Sequence, residues 1–273
     1  MSRKPCQHSS MRDVRTEQPR PAMTDPAAQI VVEAAEGPGP GPSPSRAVDC
    51  FRHEVLGVVL SVRGGRLHVL LWRRANPPFE GKWSLPCGPL GGDERLGASL
   101  SRHLAAKVDI TRIAHLEQLE TRSDPQRNPA RRELATGYLG LVPAGVDPKV
   151  PDDTRWHPFD ELPELAYDHE EILLSARERL RAKLSYTNLG FALAPPSFTL
   201  AELRDLYAAA LGHPVSATNL QRVLLRRRLL DETGQQRRYG SGGGRPAAIY
   251  RFRNRGLEIT DQFAVLRPPT MAH

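Results

Sequence analysis

The stretch from Leu85 to Ile110 limits what this chain can fold into more than any other. Gly88, Gly91 and Gly92 crowd a short run that ends in Asp93-Glu94, and Leu96, Leu100 and Leu104 then recur every four residues. Apolar side chains at that spacing share one face, so residues 94–108 are predicted to form an amphipathic helix. Upstream, residues 53–62 are rich in Val and Leu and predict a buried strand, Gly64-Gly65 a turn, and residues 66–72 its hairpin partner. A short strand is predicted at 83–86, with the glycine-rich run 88–92 as a loop leading into the helix. Further strands are predicted at 111–121 and 133–142, on either side of the polar loop Ser123–Arg131, and near 154–157. Asp168, with Glu171 three residues on, predicts a capped helix running to Ser185. The reading is an α+β domain, strand-rich, with one helix in its middle and one at its end.

Composition enters as a set of exclusions. Residues 1–46 hold eight of the 25 prolines and too little apolar surface to offset their ordering entropy, so a disordered tail is expected there. Cys6, Cys50 and Cys87 are far apart and form no CxxC pair, which argues against a disulfide framework or a zinc site and fits a reducing cytoplasm. No apolar run is long enough to span a bilayer. The net charge of +7 favours a polyanionic partner.

The stretch from Gly88 resembles the Nudix hydrolase signature, in which Gly, five residues, Glu and seven residues precede Arg-Glu-U-x-Glu-Glu-x-Gly-U, where U is aliphatic. Gly88, Glu94, Arg102, Leu104 and Ile110 fall on their places. The resemblance implies a mixed β-sheet sandwiched by helices. In the active family three glutamates on one helical face gather divalent ions that activate water on a diphosphate. Their places are taken here by His103, Ala106 and Lys107, and the late glycine by Asp109. That face has no reason to bind magnesium, so no catalytic residue, no metal and no cofactor is expected. Lys107, with Arg73 or Arg74, is expected to hold the phosphates of a nucleotide-like ligand, and backbone amides of the loop at Gly88 to add to that grip. A solvated Lys107 is the plainer alternative. Arg102 is expected to pair with Glu94 or a backbone carbonyl. Phe79 and Trp83 are candidates either to stack on a base or to fill the core, and Cys87 reads as a small filler.

Residues 186–198, with Pro195-Pro196, read as a linker. Beyond it, Thr199 and Glu202 form a capping box for a helix to Leu211, Gly212-His-Pro214 breaks it, and Ser216 opens a second helix with Leu220, Val223 and Leu224 inward. Arg227 is expected to lay its aliphatic stem on that inner face. Strands are predicted at 229–233 and 247–252, around an arginine-rich tip. Helix, turn, helix and two strands predict a winged helix-turn-helix over 199–256, with 257–273 as a tail and 47–185 as the larger domain. From Ala201 to Arg255 there are eleven Arg and four acidic residues, so the basic excess is concentrated here. Thr218, Asn219 and Arg222 are expected to read base edges, Arg226 to meet phosphate, and Arg237, Arg238 and Arg245 to form a wing.

Both halves together resemble the Nudix-related transcriptional regulator (NrtR) family. The likeness rests on Leu71-Trp-Arg-Arg-Ala-Asn-Pro-Pro-Phe-Glu-Gly-Lys-Trp-Ser-Leu-Pro86, Leu162-Pro-Glu-Leu-Ala-Tyr-Asp-His169, Phe198-Thr-Leu-Ala-Glu-Leu203 and Gly244-Arg-Pro-Ala-Ala-Ile-Tyr-Arg-Phe252. It implies a bacterial repressor of NAD metabolism genes whose inactive Nudix domain senses ADP-ribose or a related nucleotide. It also implies a homodimer on a palindromic double-stranded DNA operator. An active Nudix hydrolase with an accessory nucleic-acid module is the alternative.

Overall fold

The computed structural model describes residues 50–108, 113–146, 149–237 and 246–261, with only the backbone at Lys107 and Val108. The predicted tail 1–46 lies outside them. β1 (Arg52–Arg63) is the spine of the larger sheet. It pairs antiparallel with β2 (Arg66–Arg73) across Gly64-Gly65, whose φ angles are 55° and 75°. A two-residue turn with both φ positive matches the twist of the flanking strands and suits residues that lack a Cβ. On its other side β1 runs parallel to β6 (Glu133–Leu141), with Val55 opposite Thr136 and Leu60 opposite Leu141. β3 (Trp83–Ser84) and β7 (Thr154–Pro158) pair with β2, β4 (Cys87–Pro89) with the start of β1, and β5 (His115–Arg122) with β6.

β1 lacks polar alternation because it is covered on both faces, as strands with parallel neighbours usually are. Val55 and Val59 pack with Leu100 and Leu104 of α1 (Leu96–Val108). Leu56, Val58 and Leu60 face the opposite way, in one core with Ile172, Ala176 and Leu180 of α2 (His169–Tyr186). Full burial of one such side chain stabilises by about 1.5–3 kcal/mol. Two sequence expectations shift here. The strand predicted at 83–86 ends at Ser84, and the start of the glycine run is a strand, β4, whose Gly88 is opposite Val55. Asp168 precedes α2 but makes no side-chain cap, because its carboxylate is taken by Arg127.

α3 (Leu200–Leu211) opens with the expected capping box of Thr199 and Glu202 and ends at Gly212 in the left-handed region, φ 75°. α4 (Ala217–Arg226) is capped by the Ser216 hydroxyl, which accepts from the Asn219 amide. β8 (Phe198–Thr199), β10 (Ala247–Phe252) and β9 (Leu230–Arg237) form a three-stranded sheet beside them. β9 runs four residues past the predicted strand end at Thr233.

The linker reading of 186–198 is corrected. Leu189, Ala192, Leu193 and Ala194 are fully buried and Phe191 and Phe198 nearly so, with a 3-10 turn at Leu189–Ala192. The Leu193 carbonyl accepts from the Ala144 amide beyond β6, and a Cβ on Gly190 would lie 2.4 Å from the Tyr207 hydroxyl of α3. The segment is a plug shared by both halves, and the described residues from 50 to 261 form one compact unit. The tail assignment also begins too early. Thr260 and Asp261 both donate backbone N–H groups to the Tyr186 carbonyl, and Asn188 and Glu258 bond each other in both directions. Residues 262–273 lie outside the described residues. Among the described residues no helix is long and apolar enough to cross a membrane.

Candidate functional site

The helix face that carries the degenerate signature is closed upon itself. The His103 ring lies over Gly88, so close that a Cβ there would come within 2.2 Å of it, and its Nε2 is 2.8 Å from the Pro89 carbonyl it donates to. Arg102 grips Glu94 with two N–H groups, one from Nε at 3.0 Å, and the Gly91 amide donates to the same carboxylate at 2.7 Å. The Arg102 hydrogen bonds, then the Gly91 amide, hold the Glu94 carboxyl down to about 2. The loop amides expected to meet phosphate are partly spent, Gly91 on Glu94 and Leu90 on the His53 carbonyl. A Nudix-type divalent cation does not fit these donors, and among the described residues no three His, Cys, Asp or Glu side chains gather where they could hold one. Ala106 is exposed on this helix, and the Lys107 side chain lies outside the described residues.

A second polar cluster lies on the other face of the sheet, where α2 begins. Arg127, from the polar loop after β5, is 1% exposed at its side chain and pairs bidentately with Asp168, Nε at 3.2 Å and Nη2 at 2.9 Å. Its Nη1 stands 4.0 Å from the Glu54 carboxylate and has no hydrogen-bond partner among the described residues. Burial, reinforced by the Glu133 carboxylate, pushes the Glu54 carboxyl up, while the Cys87 thiol donates to it. Cys87 is therefore more than filler. Glu133, 3% exposed, is held by Arg52 at 3.1 Å and by the Asn128 amide. His169 is fully buried. Its Nδ1 accepts from the Leu85 amide and faces the Ser84 hydroxyl, both at 3.1 Å, and burial holds the imidazole down at about 3, so the ring is neutral.

Beside this network opens a cleft of about 430 Å³, lined by Phe79, Arg122, Gln126, Arg127, Tyr167 and Asp168. Phe79 meets Tyr167 edge-on, and the Arg74 guanidinium lies 4.9 Å over the Tyr167 ring. Of the predicted ligand residues whose side chains are described, only Arg74 comes near this cleft, and it does so over the ring of Tyr167 rather than as part of the lining. Arg73 instead donates to the Gly81 carbonyl, Trp83 stands edge-on against His157, and Gly88 lies under His103. Sequence reasoning missed Arg127, Tyr167 and Glu54. The available signal was Asp168, a carboxylate read as a cap.

On α4, Thr218, Asn219, Arg222 and Arg226 are all exposed, while Leu220 and Leu224 are buried. At 3.6 residues per turn the four polar positions fill an arc of roughly 100°, opposite the two leucines. Arg222 donates to the Asn219 side chain at 2.8 Å, which holds the pair side by side. Arg237 departs from the wing expectation because it is paired with Glu202 at the start of α3. Arg238 and Arg245 lie outside the described residues.

A helix-covered mixed sheet with a degenerate signature helix, continued by a winged helix with a polar, arginine-bearing α4, defines a Nudix-fold protein built for nucleic-acid recognition. Comparisons agree with both parts. Residues 51–176 match the NUDIX domain family and residues 190–252 the NrtR DNA-binding winged helix domain. The ADPR responsive transcriptional repressor NtrR of Acinetobacter baylyi is 32% identical over 201 residues, 71% of this chain and 79% of that protein. The crystal structure of Shewanella oneidensis NrtR complexed with a 27mer DNA has a TM-score of 0.63 and 32% identity, covering 73% of this chain and 93% of that one. An ADP-ribose pyrophosphatase of Methanocaldococcus jannaschii is 30% identical over 109 residues, 38% of this chain and 63% of that enzyme. The chain belongs to the NrtR family of transcriptional regulators.

Proposed function

We propose that this chain is a ligand-responsive repressor that binds operator DNA through α4 as a homodimer and holds ADP-ribose or a close relative without cleaving it. The observation that carries this reading is the contrast inside the Nudix part. The helix that should gather metal has lost its glutamates, and Glu94 in the loop before it is spent on Arg102. The cleft beside Arg127 offers what a dinucleotide-like guest needs: aromatic rings for a base, guanidinium groups for a diphosphate, and Asp168 for ribose hydroxyls. The ligand changes DNA affinity because it binds the DNA-competent and DNA-incompetent arrangements differently.

The test combines a gel shift on the DNA upstream of the chain's own gene, with and without ADP-ribose, and a magnesium-dependent turnover assay on ADP-ribose. Retarded DNA, released by ADP-ribose that is recovered intact, is the expected result; brisk hydrolysis overturns it. The second reading, a surviving hydrolase, draws on the buried Glu54–Glu133 pair and the pyrophosphatase relative.

A further inference from the structure

Arg227 stands apart from the other arginines of the winged helix. It closes α4, its backbone N–H bonding the Val223 carbonyl. At 100° per residue it turns towards the buried side, away from the arc of Thr218, Asn219, Arg222 and Arg226. Its side chain is 11% exposed. Nη1 donates to the Ser185 carbonyl at 2.9 Å, in the last turn of α2, and Nη2 donates to the Asp261 carboxylate at 2.7 Å. Asp261 is itself held, since its N–H bonds the Tyr186 carbonyl. Below lies Tyr207 of α3, buried against Gly190 of the plug. One guanidinium thus joins the end of α4, the end of α2 and the returning tail. With both terminal nitrogens bonded, Nε buried and the side chain largely covered, it is not available to a phosphate.

We propose that Arg227 is a positioning residue for DNA reading, setting the angle at which α4 presents Thr218, Asn219 and Arg222. Nine residues separate Arg227 from Thr218, about 13 Å along the axis. A tilt of about 10° at the Arg227 end would carry those side chains roughly 2 Å, beyond what a hydrogen bond to a base edge tolerates. Phosphate contacts made by long arginines absorb such a shift, because attraction to the DNA backbone is long-ranged and indifferent to register. Loss of Arg227 is therefore a loss of discrimination rather than of general DNA affinity.

The experiment uses the full chain and a duplex selected by the wild-type protein from a random pool. Affinities for that duplex and a shuffled one are read by fluorescence anisotropy at a single salt concentration. Arg227→Met is expected to weaken the selected duplex about 30-fold, the worth of one paired base contact, and the shuffled duplex less than about threefold. Arg227→Lys should recover part of the loss, because an ammonium reaches Asp261 or Ser185 but lacks the fork that spans both. Asp261→Asn should shift the ratio the same way by a smaller factor, and it serves where the methionine variant does not fold. An unchanged ratio in Arg227→Met and Asp261→Asn overturns the inference alone, as does an equal loss on both duplexes, which would make Arg227 a phosphate contact. Failure of the wild type to select any duplex overturns the DNA reading itself.

Discussion

The two faces of the Nudix sheet handle polar groups in opposite ways. On the α1 face Glu94 and Arg102 satisfy each other and His103 bonds nearby backbone at the rim, and among the described residues no charge is left deep inside. On the α2 face Arg127, Glu54, Glu133 and Asp168 are drawn under the surface, with an Arg127 N–H unspent beside a cleft. Exposed ion pairs contribute little, whereas a buried charge is tolerable only while its partners stay. The difference teaches where to look for recognition once a signature helix has decayed: to the side that still bears the cost of buried charge.

The widest gap between the two faces should appear on removing their arginines. Arg127→Met strands Asp168 and Glu54, and a loss of about 3–5 kcal/mol is expected in chemical denaturation. ADP-ribose affinity by calorimetry should fall at least about 100-fold in the fraction that folds. Arg102→Met should leave that affinity within about twofold; equal losses would erase the contrast.

Acid should find the α2 face first. The His169 pKa is depressed to about 3 from an ordinary 6.5, so the neutral ring's contribution is whole above about pH 6.5 and declines as pH falls towards 3. In that window it costs up to about 1.4 kcal/mol per pH unit. Urea midpoints measured between pH 7 and 4 should therefore drop less steeply in His169→Gln than in the wild type.

Gly88→Ala tests how tightly the α1 face is shut. The new methyl meets the His103 ring, and a loss of about 1–3 kcal/mol is expected, recovered in part by a second change, His103→Ala. Full tolerance of Gly88→Ala alone would mean that the ring moves freely. The smallest effect is expected for Glu94→Gln, a drop in the thermal unfolding midpoint smaller than that of Gly88→Ala, since its partner is half exposed.

Legibility in the sequence followed periodicity. The central helix, the strands flanking it, and the Thr199–Glu202 and Ser216 caps were all readable, because each depends on residues within a few positions of one another. Arg127 was not, because its partners are 41 residues ahead in Asp168 and 73 behind in Glu54, and its loop has no period. Asp168 looked like a cap because the same residue type serves both purposes. The plug was misread because Pro195-Pro196 signals a break, whereas the eight buried residues before it make too short a run to show a period.

That plug has a consequence for inheritance. Phe191, Leu193 and Phe198 belong to a single core with side chains of both α2 and α3. The DNA-reading half is therefore no cassette to be traded between genes by a cut at 186–198. A functional swap must carry the plug, its socket and the returning strand through Asp261 together. Lineages should keep those three pieces matched even where the rest of either half drifts.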